Sequence, residues 1–268
     1  MLSKFHLSNF SIQIYTVGFM EKYILIDHLK NLGIQNGDNL LVHSSLKSIG
    51  KIEGGPEIVI QGLIECVGEV GTLLMPALSY ESVTKDQPIF KVKETPSCVG
   101  ALTEYFRKRE GTFRSLHPTH SIAALGINAE FFIKNHEKDS TPVGPNSPLS
   151  KLRDTGGKIL FIGCGLRPNT SMHGVEELVN PEYLFNGVVT FTIGDHSGNL
   201  EQYNHTTHGF KPKGWEQRYD RVSNILDDVE LKGGKVLNAD CYLIDAKALW
   251  TNAFNKLKED SLYFVDKL

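Results

Sequence analysis

Six short runs rich in Val, Ile and Leu, spread through the chain among helix signals, restrict the architecture more than any other feature. They are Asn39–His43, Thr72–Met75, Ser121–Leu125, Lys158–Ile162, Val188–Ile193 and Cys241–Ile244. Runs this short and apolar read as strands buried on both faces. Helical patterns accompany them at Lys22–Asn31 and at Pro56–Val67, where Gly55-Pro56 supplies a start and Gly68 a stop. Two more starts are Asn146-Ser147-Pro148, and Asn169-Thr170-Ser171 ahead of Met172–Val179. The alternation predicts an α/β fold: a central mixed, largely parallel sheet flanked by helices in three αβα layers. With no repeat of about 20–50 residues and no flexible linker, residues 1–268 are expected to form one domain, with 1–20 a variable N-terminal segment.

Charge narrows the partners. Lys plus Arg number 28 against 31 Asp plus Glu, a net charge of −3, which argues against a broad nucleic-acid-binding face. The four cysteines Cys66, Cys98, Cys164 and Cys241 form no CxxC pair and read as reduced thiols of a cytoplasmic protein. Lys4, His6, Asn9 and Gln13 interrupt the first twenty residues, so no secretory leader is expected. Nor does any apolar run approach the ~20 residues of a spanning helix. The chain is expected to meet a small molecule, as a monomer or homodimer, with the long loops Ser79–Pro96 and His196–Arg218 shaping its site.

Two constellations carry candidate chemistry. Val42-His43-Ser44-Ser45-Leu46-Lys47-Ser48-Ile49-Gly50 is a strand running into polar residues, at the strand end where α/β sheets bind ligands. Its hydroxyls, backbone N–H groups and Lys47 suit phosphates, although the strict P-loop pattern is absent. A strand-to-helix turn with Ser caps explains the same residues. In the second, a strand at Lys158–Ile162 passes through Gly163-Cys164-Gly165 to a helix. If Thr170 caps that helix, His173 stands in its first turn with Glu176 and Glu177 three and four residues on. A carboxylate orienting this imidazole makes a general base; a solvated charge pair on a surface helix is the plainer alternative.

Histidines raise the question of a metal. His117-Pro118-Thr119-His120 precedes a strand and His205-Thr206-Thr207-His208 offers a second HxxH, but neither is the helical HExxH of metalloproteases. Cys164 has no feature that lowers its pKa and reads as a packed thiol rather than a nucleophile.

Together these stretches resemble the antibiotic N-acetyltransferase family typified by aminoglycoside 3-N-acetyltransferases. The resemblance runs from about Leu29 to about Ala248. It rests on Gly37–Gly50 with Glu53-Gly54-Gly55, on His117-Pro118, and on Asn146-Ser147-Pro148-Leu149 before Gly156-Gly157-Lys158. It continues through Gly163, Thr170, His173 and Glu176 to Cys241–Ala246. It implies an acetyl-CoA-dependent transferase, unrelated in fold to the GNAT acetyltransferases and needing no metal. The coenzyme-binding residues would be His43, Ser44, Ser45, Leu46, Lys47 and Ser48, with His117. The catalytic set would be His173, its partner Glu176 and the preceding Thr170. The acceptor would be a primary amine, the 3-amino group of an aminoglycoside or a related amino sugar. Three departures stand out: Gly174-Val175 replaces the Tyr-Ala that follows the histidine in aminoglycoside-modifying members, His120 stands where those enzymes need no histidine, and Glu201–Arg221 differs from the acidic loop expected to hold a polycation. Other functions to weigh are a metal-dependent hydrolase using His117, His120, His173 or the His205/His208 pair, and a coenzyme- or amine-binding module without catalysis.

Overall fold

Along the strand Asn39–Ser44, Leu40 and Val42 enter one apolar cluster while Leu41 enters another, so the strand is buried on both faces. The computed structural model describes residues 9–268, with side chains from Met20 onward; of the expected variable segment 1–20, residues 1–8 lie outside the residues described and 9–20 belong to the first helix. The first half contains α1 (Asn9–Leu32), β1 (Asn39–Ser44), α2 (Leu46–Ile49), α3 (Gly55–Val67), β2 (Thr72–Pro76), β3 (Ile89–Lys91), α4 (Ala101–Lys108), β4 (Phe113–Arg114), β5 (Ile122–Gly126) and α5 (Ala129–Ile133). There follow α6 (Pro148–Asp154), β6 (Lys158–Ile162), α7 (Met172–Val179), β7 (Phe185–Gly194), β8 (Leu200–His208), β9 (Trp215–Gln217), β10 (Leu231–Val236), β11 (Ala239–Asp245), α8 (Ala246–Glu259) and β12 (Val265–Lys267).

Seven strands form the central sheet in the order β10-β11-β6-β1-β2-β5-β4. One face packs on α1, α3 and α4 through Leu25, Leu29, Ile60, Leu63 and Phe106. The other packs on α5–α8 through Phe132, Leu149, Met172, Val175 and Trp250. The sheet is mixed, as expected, but it is not largely parallel. Only β1 with β2 and β1 with β6 run parallel, while β2–β5, β4–β5, β6–β11 and β10–β11 are antiparallel. The edges account for two of these four antiparallel pairs. β10 and β11 are joined by the tight turn Leu237-Asn238, with Leu237 at φ +52°, and β4 returns to β5 through Ser115–Ser121. Hairpins of this kind replace the helical crossovers that parallel neighbours require. The run Val188–Ile193 is not a buried strand of this sheet. It lies in β7, which pairs with β3 and β8 in a separate three-stranded sheet where Val188 is 66% exposed. The two long loops thus hold β3 in one case and β8 and β9 in the other.

The β6–α7 connection positions the site. A Cβ on Gly163, at φ +64°, would lie 2.3 Å from Ser48 Cβ, so this crossing requires glycine. Ser48 Oγ donates to the Gly163 carbonyl at 2.8 Å and ties the turn after β1 to the end of β6. Ser171, not Thr170, occupies the cap position of α7. Its Oγ accepts the Trp250 indole N–H at 2.7 Å, and Asn169 Oδ1 accepts the Ser171 N–H at 3.2 Å. Gly174 packs against the same indole: a Cβ there would meet Trp250 Cη2 at 2.1 Å and Val143 Cγ1 at 2.7 Å. The departure at Gly174 therefore has a packing cause. Alanine gains about 1 kcal/mol of helix propensity, but crowding a rigid ring costs about 1–3 kcal/mol. Gly174→Ala is expected to lower the unfolding free energy in urea titrations; a more stable variant would contradict this packing account.

Candidate active site

The carboxyl ends of β1, β2 and β6 open into a cavity of about 990 Å³. His43 and Ser44 line it from β1, Pro76 from β2 with Leu78 just beyond it, and Cys164, Thr170 and His173 from the β6–α7 passage. Val189, Phe191, Thr207 and His208 of the β7–β8 hairpin face it, as do Tyr80 and Lys85 of the loop after β2. Strand ends of an α/β sheet are its usual binding crevice, because adjoining connections diverge there.

His173 is held by a short hydrogen-bonded chain. Glu176 is fully buried; its Oε1 accepts from Tyr183 Oη at 2.8 Å and its Oε2 from Tyr219 Oη at 2.6 Å. Tyr219 Oη also lies 2.9 Å from His173 Nδ1, and Glu176 Oε2 lies 3.5 Å from the same nitrogen. A phenol has one proton, and the carboxylate is the stronger acceptor at the shorter distance. Having given that proton to Glu176, Tyr219 accepts from His173 Nδ1–H, which leaves the lone pair on Nε2. Burial removes the solvated-pair alternative: His173 is 7% exposed and Glu176 0%. Glu177 has a different partner. It accepts the Val143 N–H at 2.9 Å and meets His208 Nε2 at 3.2 Å.

Of the other sequence-derived residues, Thr170 Oγ1 lies 3.4 Å from His43 Nε2, and the His43 ring stacks on Phe161 with centroids 4.9 Å apart. Ser45, Leu46, Lys47 and Ser48 continue the turn but are not part of the cavity wall; Lys47 and Ser48 are exposed. His117 is fully buried and also absent from the wall. Its Nδ1 accepts backbone N–H groups from His120 at 3.0 Å and Thr119 at 3.3 Å, a loop-fixing role. Cys164 is half-buried on the wall, and burial pushes its thiol up to about 11, so it is no thiolate near neutrality. Tyr219 and Tyr183 escaped the sequence reading, since each reaches Glu176 through tertiary packing and neither belongs to a motif.

The two HxxH segments meet member by member. His117 faces His205 at 4.6 Å and His120 faces His208 at 4.8 Å between ring centroids, with His136 tilted against His117 at 4.8 Å. Burial keeps this cluster neutral. The pKa of His43 is lowered to about 3, first by burial and then by neighbouring His173; burial also lowers His136 to about 3 and His205 to about 4. His117, His120 and His208 are lowered well below their ordinary value, again chiefly by burial. Burial moves the Glu177 carboxyl the other way, up to about 7. Among the described residues no helix is long and apolar enough to cross a membrane.

Comparison with known proteins gives a consistent picture. The model of the family described as aminoglycoside 3-N-acetyltransferase matches residues 41–258. Aminoglycoside N(3)-acetyltransferase VII of Streptomyces paromomycinus is 34% identical over 169 residues, which are 57% of this chain and 58% of that protein. The chain thus spans less than two thirds of that relative's length. The SPbeta prophage-derived aminoglycoside N(3')-acetyltransferase-like protein YokD of Bacillus subtilis is 31% identical, over 83% of this chain and 86% of YokD. Among solved structures, AAC-IIIb in a binary complex with CoASH superposes with TM-score 0.78 at 27% identity, covering 89% of this chain and 96% of that one. A mutant of aminoglycoside acetyltransferase AAC(3)-IVa in complex with a gentamicin gives 0.77 at 29%, covering 91% and 90%.

The buried imidazoles also set the acid limit of the fold. Their folded pKa values lie below the unfolded value of 6.5, so the unfolded chain binds more protons below that pH. Stability from this source is complete above pH 6.5 and is lost as pH falls, each histidine adding up to about 1.4 kcal/mol per pH unit. Glu177 acts oppositely between its ordinary 4.5 and about 7, since its folded carboxyl keeps the proton longer. Six histidines outweigh one carboxyl, so Tm should fall steadily from pH 6.5 to 5; a flat Tm over that window would mean that the cluster accommodates protons while folded.

Proposed function

The chain belongs to the aminoglycoside 3-N-acetyltransferase family, and on that premise we propose that it transfers the acetyl group of acetyl-CoA to a primary amine. The observation that carries this is the Glu176–Tyr219–His173 chain, which leaves an unprotonated Nε2 at the wall of the cavity. The amine nitrogen attacks the thioester carbonyl, the N–C bond forms, and His173 Nε2 takes the amine proton. As the tetrahedral intermediate collapses, the C–S bond breaks and the imidazolium returns the proton to the departing thiolate, giving amide and free coenzyme thiol. The Thr170 hydroxyl, beside His43, is placed to donate to the oxyanion. His43, Ser44, Ser45, Leu46, Lys47 and Ser48 form the turn assigned to the coenzyme. The exposed ammonium of Lys47 meets its phosphates, while Ser48 anchors the turn to Gly163. The likeness to AAC-IIIb with bound CoASH supports the same cofactor here.

The acceptor is assigned to the aminoglycosides or related amino sugars, and the wall favours the second. Among the described residues lining the cavity there is no Asp or Glu, whereas Lys85, Arg167 and Lys211 all line it. Arg167 is paired with Glu216 at 2.6 Å. A field of this sign disfavours a ligand with several ammonium groups and suits an amino sugar with one. The test is release of coenzyme thiol from acetyl-CoA with aminoglycosides, mono-amino sugars and simple amines as acceptors. His173→Ala should lower kcat about 10²–10⁴-fold, the size of a general-base contribution, with coenzyme affinity retained. Unchanged kcat in that variant would overturn the base assignment, and a preference for polycationic acceptors would overturn the acceptor class.

A further inference from the structure

His120, His173 and His208 come from three separate segments, the turn before β5, the first turn of α7 and the end of β8, and all three side chains line the cavity. One ring nitrogen of each lies within 4.8 Å of those of the other two. Each ring is also held from behind by an oxygen. Thr119 Oγ1 sits 2.8 Å from His120 Nδ1, Tyr219 Oη 2.9 Å from His173 Nδ1, and Glu177 Oε1 3.2 Å from His208 Nε2. Those contacts leave His120 Nε2, His173 Nε2 and His208 Nδ1 for a common ligand. The His208 atom is the most telling, being a buried ring nitrogen with no hydrogen-bond partner in a side chain only 9% exposed. A buried, unpaired polar nitrogen is unfavourable unless something occupies the space in front of it.

We propose that these three histidines form a site for a zinc-class divalent cation. Three imidazoles, each oriented by an outer oxygen, are the donor set of an open zinc site, with the fourth position free for water or for a substrate group. Zn–N bonds of about 2.0–2.1 Å in tetrahedral geometry need nitrogens about 3.4 Å apart. Binding would have to draw together the three nitrogens, which now lie within 4.8 Å of one another. Neither HxxH segment is a metal motif alone, because each contributes one ligand and keeps its other histidine for packing. The metal site stands on this geometry; its consequence for turnover rests on the acetyl-transfer assignment above. His173 Nε2 has one lone pair, so holding the cation and accepting the amine proton exclude each other, and the metal-loaded protein is the silent form of the transferase.

The full chain is stripped with chelator, desalted, and titrated with Zn²⁺, and separately with Co²⁺ as a spectroscopic probe. About one Zn²⁺ per chain should survive desalting, and Co²⁺ should give the intense visible bands of a tetrahedral nitrogen site. His120→Gln and His208→Gln, each checked for folding by circular dichroism, should lose both signals. Retained metal in both folded variants, or no metal in the native chain, would overturn the site. Should neither variant fold, octahedral Co²⁺ bands in the native chain would do the same. Acetylated amine is then measured by mass: zinc loading should abolish it and chelation restore it, whereas faster transfer in the loaded form would overturn the silencing. Metal binding is read without substrates, so its failure and the failure of acetyl transfer remain separate results.

Discussion

A buried carboxylate without partners is among the least favourable groups a fold can contain, and Glu176 is such a group in need of company. Two phenols supply it, Tyr183 from the turn after α7 and Tyr219 from the 3-10 segment Tyr219–Asn224. Satisfying this one side chain draws α7, the start of β7 and the segment leading to β10 onto the same point. The same hydrogen bonds set the orientation of His173. Because Tyr219 gives its proton to Glu176, it must accept from His173, and the imidazole presents an unprotonated nitrogen to the cavity. Removing the carboxylate would leave Tyr219 Oη free to donate to Nδ1 instead, reversing the tautomer while barely moving a ring.

Around that chain the environment is apolar and rich in neutral imidazole. His43 is flattened on Phe161, the Nδ1 of His117 is taken up by backbone N–H groups, and His120 and His208 stand beside His173 without charge to repel a proton from it. A nearby imidazolium would lower the basicity of His173, so the deep burial of its neighbours favours the proposed transfer step. The outer wall differs, with cations at Lys85 and Lys211 and no carboxylate among the described lining residues. Such a division agrees with the proposed anionic coenzyme and with the proposed acceptor of low positive charge.

Much of this was legible in the order of residues. The run Lys158–Ile162 and the helix Met172–Val179 appear within the bounds their patterns suggest, because a strand buried on both faces and a helix entered through a polar Asn-Thr-Ser turn each leave a strong local signal. The pairing direction was less legible. β10, with its two consecutive glycines and two lysines, and the two-residue β4 lack an apolar signature, and these edge strands supply two of the antiparallel pairs. In the site, spacing brings both Glu176 and Glu177 within reach of His173, since residues three and four apart share a helix face; the choice of Glu176 and the place of Thr170 rest on the family resemblance, and Thr170 lies just before the helix. Tyr219 lies 46 positions from His173 and has no local pattern to betray it. The meeting of His120 with His208 belongs to the same class: each pair is visible in sequence, but which members face each other is decided by where the β7–β8 hairpin lands.

The most direct measurement is the ¹⁵N chemical shift of the two His173 ring nitrogens in metal-free protein at neutral pH. The account predicts a protonated Nδ1 bonded to Tyr219 and a bare Nε2 facing the cavity. A proton found on Nε2, with the lone pair turned toward Tyr219, would contradict it and remove His173 as the base.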